Sequence, residues 1–285
     1  MAHGNPTRQG MINRNSALTA LALLLLFAAR AETQNAAPDD QSEVARRLLT
    51  GDVSERAGAL GRVRQIGPEK VNPQLRAALI TALERENALV AQFRARRAAG
   101  EVVPRLGNGE LLAGLAFVVS AFRDPRAIPG LAGAHGYSPA ASAALADFGE
   151  PAAPAVLAVL ETTTNTSVAD DALRTLRFMA EGVGRQPLTD GTRDRIRRAA
   201  KRRLTEPQKS ITTIWGAIDL AVALEDPELR GIVQSLASDR SAVVRLRKTD
   251  RDLVDRTQRV AAERLAGVPP LPRHTSVEDL ARRWQ

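Results

Sequence analysis

The chain has no cysteine in its 285 residues. That excludes disulfide staples, thiol nucleophiles, cysteine metal sites and the lipid-attachment cysteine of a bacterial lipoprotein. Aromatic residues are nearly as scarce, at 3%, which excludes a core built on large rings. With 44% hydrophobic residues, the core must be Leu, Ile, Val and Ala, the side chains of closely packed helices rather than of a sandwich of sheets. The composition predicts an all-α protein. Histidine is limited to three positions, and no apolar run reaches the roughly 20 residues needed to cross a bilayer.

The first residues read as a transport signal. Arg14 supplies positive charge, Ala17 to Ala28 is an apolar run, and Ala29-Arg30-Ala31 gives a small-x-small cleavage pattern. The expectation is a signal peptide over residues 1–31, cleaved near Ala31, with Met11 as a possible true start. Export to a bacterial periplasm or to the outside follows, with no stable membrane anchor after cleavage. The chain carries 40 Lys+Arg against 32 Asp+Glu; removing Arg8, Arg14 and Arg30 with the leader, which holds no acid, leaves 37 against 32. The mature protein is mildly basic.

Residues 32–50 form a lead-in segment, and a repeated pattern begins after it. Asp124-Pro125, Glu150-Pro151 and Asp226-Pro227 each place an acid before a proline, which suits a helix start. Offsets of three, six, seven and ten from each acid give Ala127, Gly130, Leu131 and Ala134; then Ala153, Val156, Leu157 and Leu160; then Leu229, Ile232, Val233 and Leu236. All are apolar or glycine at the spacing of one helical stripe. Other apolar-faced stretches, such as 54–67, 109–122, 138–149, 167–182 and 210–225, pair with these helices or with their counterparts. About five antiparallel helix pairs result, and each is too short to cover its own apolar faces, so successive pairs must stack. The stretch "LLAGLAFVVSAF" within 109–122 is apolar all round, as a helix covered on both sides would be. Residues 268–285 read as a proline linker and a short helix with Thr275 and Glu278 in capping-box spacing.

The phrases "GDVSERAGALGRVRQIG" and "DPRAIPGLAGAHGYSPAASAALADFGEPAAPAVLAVLE" resemble HEAT repeats of the bacterial HEAT-like type, over residues 51–267. The spacing is irregular: Asp124 and Glu150 lie 26 residues apart, Glu150 and Asp226 lie 76 apart. The resemblance implies an α-solenoid, an armadillo-like helical superhelix whose second helices line a concave, partner-binding surface.

Catalytic constellations are missing. His135 lies in a glycine-flanked turn and His274 in the proline linker, neither with partners at metal-ligand spacing. Gly107 and Gly109 lack the strand and lysine of a phosphate loop and read as a helix-start turn. Asp170 and Asp171 point about 100° apart on a helix and do not form a catalytic pair. Trp215 falls on a core stripe with Ile211, Ile214 and Ile218, while Trp284 at the tail suits contact more than packing. No catalytic residue, cofactor or metal is assigned.

One helix, "TRDRIRRAAKRRL", carries a binding candidate. Its projection buries Ile196, Ala199, Ala200 and Leu204 and gathers Arg195, Arg198, Lys201 and Arg202 opposite. Later, Asp252 with Arg256 and Asp255 with Arg259 fall at the spacing of ordinary intrahelical pairs. The reading is an exported, non-enzymatic scaffold that binds an acidic protein partner, with no nucleic-acid role. The resemblance also leaves an enzyme open, either a tetrapyrrole lyase or a DNA-base glycosylase. The leader and the scarcity of aromatics oppose the latter.

Overall fold

The computed structural model describes residues 38–103, 107–248, 250–270 and 276–282. The proposed signal peptide, His274, Thr275 and Trp284 lie outside the described residues. Among the described residues every regular element is helical and no strand occurs. The helices are α1 (Pro38–Thr50), α2 (Val53–Ile66), α3 (Pro73–Ala98), α4 (Gly109–Ser120), α5 (Ile128–Gly133), α6 (Pro139–Phe148) and α7 (Ala153–Thr162). They continue as α8 (Thr166–Ala180), α9 (Asp190–Thr205), α10 (Ile211–Ala223), α11 (Pro227–Ser238), α12 (Arg240–Leu246), α13 (Arg251–Leu265) and α14 (Val277–Arg282).

The principal contacts follow chain order in two rows. In one, α2, α4, α6, α8, α10 and α13 touch in succession; in the other, α3, α5, α7, α9 and α11 do. The rows meet through neighbours such as α3 with α4, α7 with α8, α9 with α10 and α11 with α13. This arrangement follows from the repeated stripe. Of its twelve positions all are buried except Ile232, which is half-buried. A buried leucine contributes roughly 1.5–3 kcal/mol, and fully buried Leu131, Leu157, Leu160, Leu173 and Leu176 fill the seam between rows. Alanine lets the helices approach closely, and at Gly130 even an added methyl would sit 3.0 Å from Leu83 of α3.

A helix, α1, forms within the span read as a lead-in. α1 buries Val44, Ala45 and Leu48 and packs on α2 and α3. Charged neighbours such as Glu43, Arg46 and Arg47 take its outer side, where Glu43 pairs with both arginines at 2.7 Å. A fully buried Glu86 locks this end together. One of its oxygens accepts from Arg56 of α2 at 2.8 Å, and the other accepts the backbone N–H of Asn108. Because both charges are out of water, the pair is geometrically demanding rather than a simple gain in stability.

The acid-proline starts differ in detail. Asp226 caps α11 through the N–H of Leu229 at 2.9 Å, and Asp124 caps only a 3-10 turn, Pro125–Ala127, through Arg126 N–H. Glu150 caps no helix of its own: α7 begins at Ala153, and the longer side chain reaches forward instead, accepting from Thr189 N–H at 2.9 Å and Thr192 Oγ1 at 2.7 Å at the start of α9. The residue before each acid is left-handed: Arg123 (φ 53), Gly149 (φ 68) and Glu225 (φ 55). At Gly149 this is obligatory, since an added Cβ would lie 2.1 Å from the carbonyl oxygen of Gln186.

The all-apolar helix is covered on several sides. α4 touches α2, α3, α5 and α6, and α14 returns from the C-terminal end to pack on α4 and α6 with Val277 buried. At the start of α14, Ser276 and Asp279 form a capping box: Asp279 N–H donates to Ser276 Oγ at 3.0 Å and Ser276 N–H to Asp279 Oδ2 at 3.4 Å.

The left-handed positions generate a prediction. Glu225 is exposed, so Glu225→Gly removes the steric cost of a Cβ at positive φ and loses little contact. Set against glycine's extra unfolded-state entropy, the net gain is about 0.5–1 kcal/mol. The urea midpoint should rise; an unchanged or lower midpoint contradicts the argument.

Candidate functional site

α9 is anchored at its start. Its N-terminus is capped by Thr189, whose hydroxyl accepts from Thr192 N–H at 3.2 Å, and is braced by Glu150 from the preceding unit. Burial pushes the Glu150 carboxyl up, but hydrogen bonds from Thr192 and Thr189 outweigh it and hold the group below the usual carboxylate range. Ile196, Ala199, Ala200 and Leu204 are buried, and Arg195, Arg198, Lys201 and Arg202 are exposed. The helix projection thus separates the two faces.

The four cations are not equivalent. Arg202 reaches Glu161 of α7 at 2.8 Å, and Lys201 pairs with Glu228 of α11, so these two bridge to the neighbours in the row. Such exposed pairs contribute little to stability, up to about 1 kcal/mol, but they consume charge. Among the described residues Arg195 and Arg198 make no ion pair within 4 Å. The free positive charge on this face is theirs.

A second charged site escapes the sequence reading. Between α8, α10 and α13 lies a cleft of about 520 Å³ whose lining includes Arg174, Arg177, Trp215, Arg256, Arg259 and Arg264. Trp215 is only partly buried; its indole Nε1–H donates to Thr257 Oγ1 at 3.0 Å, and the Arg256 guanidinium lies 4.6 Å from the ring centre. The intrahelical pairs expected on α13 do not form. Asp255 turns to Arg240 at 3.2 Å and Arg251 at 3.8 Å, leaving Arg256 on Trp215 and Arg259 without an ion pair among the described residues. Partner choice here depends on α10 and α12, which lie elsewhere in sequence. A cue was available: Trp215 within an isoleucine stripe, with arginines at i and i+3 on a later helix.

Asp170 and Asp171 point to opposite neighbours, as their adjacency requires. Asp170 accepts the hydroxyls of Thr212 and Thr213 at 2.6 and 2.7 Å at the start of α10. Asp171 accepts Gly136 N–H at 2.7 Å and pairs with Arg174 at 2.8 Å. They tie α8 to the start of α10 and to the turn before α6. Gly107 and Gly109 flank Asn108, which caps α4 through Glu110 N–H at 2.9 Å, so this is a helix-start turn. Among the described residues no three His, Asp or Glu side chains stand together as metal ligands, and no helix is long and apolar enough to cross a membrane.

His135 sits in a turn, yet its side chain is wholly buried. Nδ1 lies 2.8 Å from the Ala132 carbonyl and Nε2 lies 3.1 Å from Thr175 Oγ1. A carbonyl can only accept, so Nδ1 carries a proton; the single Thr175 hydroxyl proton faces both Nε2 and the Asp171 carbonyl, 2.9 Å away. Burial pushes the ring's pKa below the ordinary 6.5 and so favours its neutral form.

Compared with protein-family models, with curated proteins and with solved structures, the chain gives no match in any of the three.

His135 predicts a pH dependence with a definite sign. Its folded pKa lies below its unfolded one, so the unfolded chain takes up the proton first as pH falls. The full contribution is present above about pH 6.5 and is lost below it, approaching about 1.4 kcal/mol per pH unit. Urea midpoints measured between pH 7.5 and 5.5 should fall, and His135→Gln should flatten that part of the profile. An equal slope in the variant contradicts it.

Proposed function

We propose that this protein is an exported, non-enzymatic scaffold of the HEAT-like type, an α-solenoid of about five stacked helix pairs that binds an acidic protein partner. The two rows of neighbour contacts support the stacking. So does the recurrence of a left-handed residue before an acid-proline start at Arg123, Gly149 and Glu225. Export rests on the leader pattern of residues 1–31 alone.

The observation that carries the binding reading is the exposed basic face of α9, which in a solenoid of this type would line the concave surface. Arg202 and Lys201 brace it against α7 and α11 through Glu161 and Glu228, while Arg195 and Arg198 are exposed and make no ion pair within 4 Å among the described residues, Arg195 feeling only the longer-range field of Glu150. A surface held by stacked helices loses little freedom when a partner docks, so less ordering entropy opposes binding. Unpaired surface guanidinium groups then steer an acidic partner and select it by charge.

The test separates binding from folding. Arg195→Glu with Arg198→Glu reverses the free charges and leaves both bridging pairs in place. Cross-linked capture of a partner from the envelope fraction of the native cells should fall by about tenfold. The melting temperature should move by no more than about 2 °C, as for exposed substitutions. Undiminished capture rejects this face as the binding surface.

A further inference from the structure

We infer that the cleft between α8, α10 and α13 binds the carboxylate groups of a linear, acidic peptide segment, gripped by Arg256 and Arg259. The inference rests on the proposed scaffold function and adds a second anchoring point, on the other row of helices. Its ground is a division of labour among the arginines. Arg174 is held by Asp171 at 2.8 Å and Arg264 by Asp219 at 2.7 Å, so these form fixed walls. Arg256 and Arg259 lie nearly one turn apart on one face of α13 and make no ion pair within 4 Å among the described residues.

The free pair is already organised. Arg256 lies 4.6 Å from the Trp215 ring, and that ring is fixed by its hydrogen bond to Thr257. Little side-chain freedom is left for Arg256 to lose when an anion arrives. Below them Arg177 has a side chain only 5% exposed, with Glu181 at 3.7 Å and the Phe178 ring under its guanidinium. Burial pushes its pKa below the ordinary arginine value, but the guanidinium stays charged and adds positive potential to the cleft.

The walls also choose the anion. Asp170, Asp219 and Glu263 line the same space. They repel a phosphate dianion within a Debye length more strongly than a single carboxylate, and a carboxylate matches the guanidinium fork in a planar, two-bond geometry. Arg256 covers the Trp215 ring, which leaves that face closed to a stacked nucleobase. The cleft lies between three helices of one row, so it suits an extended chain whose carboxylates are spread along its length, one at a time meeting Arg256 and Arg259.

The experiment uses the full chain with Trp284→Phe, which leaves Trp215 as the sole indole. Its fluorescence is followed during titration with hexaglutamate blocked at both ends, and then with pyrophosphate. Saturable binding of hexaglutamate is expected. Arg256→Gln with Arg259→Gln should weaken it by about tenfold or more. Lys70→Gln with Arg97→Gln removes equal charge from exposed positions elsewhere and should change it by less than about twofold. Absence of saturable binding, equal weakening by the two double variants, or tighter binding of pyrophosphate than of the peptide overturns the inference. If hexaglutamate binding is lost only with Arg195→Glu and Arg198→Glu, the scaffold reading stands and the cleft assignment falls.

Discussion

The structure depends on the mutual burial of small apolar stripes. No helix from α4 to α11 is covered by a single partner, and each gains its cover from the next helix in its row and from the row behind. Leu145, Leu157, Leu173, Ile196, Ile214 and Ile218 are all fully buried in this way. Since dispersion between any two atoms is weak and falls steeply with distance, the helices must approach closely. Alanine, in place of aromatics, lets them do so. The absence of cysteine leaves this contact area as the chief source of stability.

Carboxylates align the units that leucine holds together. Glu150, Asp170, Asp171 and Asp219 each reach a residue some 35 to 45 positions away, at helix starts or across the cleft. A hydrogen bond to a charged group contributes about 1.5–3 kcal/mol, and its direction fixes register where apolar contact does not. Asp219 shows the cost of such a place: burial pushes its carboxyl up, against the pull of Arg264. As acids are drawn into these ties, a few arginines are left without partners. Arg195 and Arg198 on one row and Arg256 and Arg259 on the other are among the exposed cations that make no ion pair within 4 Å among the described residues.

Much of the fold was legible in the sequence because a stripe has a period. The twelve repeat positions, the helix class and the buried side of α9 all follow from spacing. Three things did not. α1 was hidden by its charged residues, Glu43, Arg46 and Arg47, which dilute a short apolar stripe. The role of Glu150 was misread because an acid before proline has two choices, its own helix start or the next unit's, and only tertiary distance selects between them. The cleft could not be read from one window, since Arg174, Trp215 and Arg256 come from three separate helices. The pairs expected within α13 failed for the same reason, as Trp215 and Arg240 compete for their members.

Native-state hydrogen exchange followed by mass spectrometry tests the central claim of a stack held by neighbour contacts. The account predicts graded opening: amides in α6 to α8, covered on both sides, stay protected to higher denaturant than those in α1 and α2 or in α12 and α13, as expected for an array of nearest-neighbour units. A single opening free energy shared by all buried helices, from α1 to α13, would contradict it.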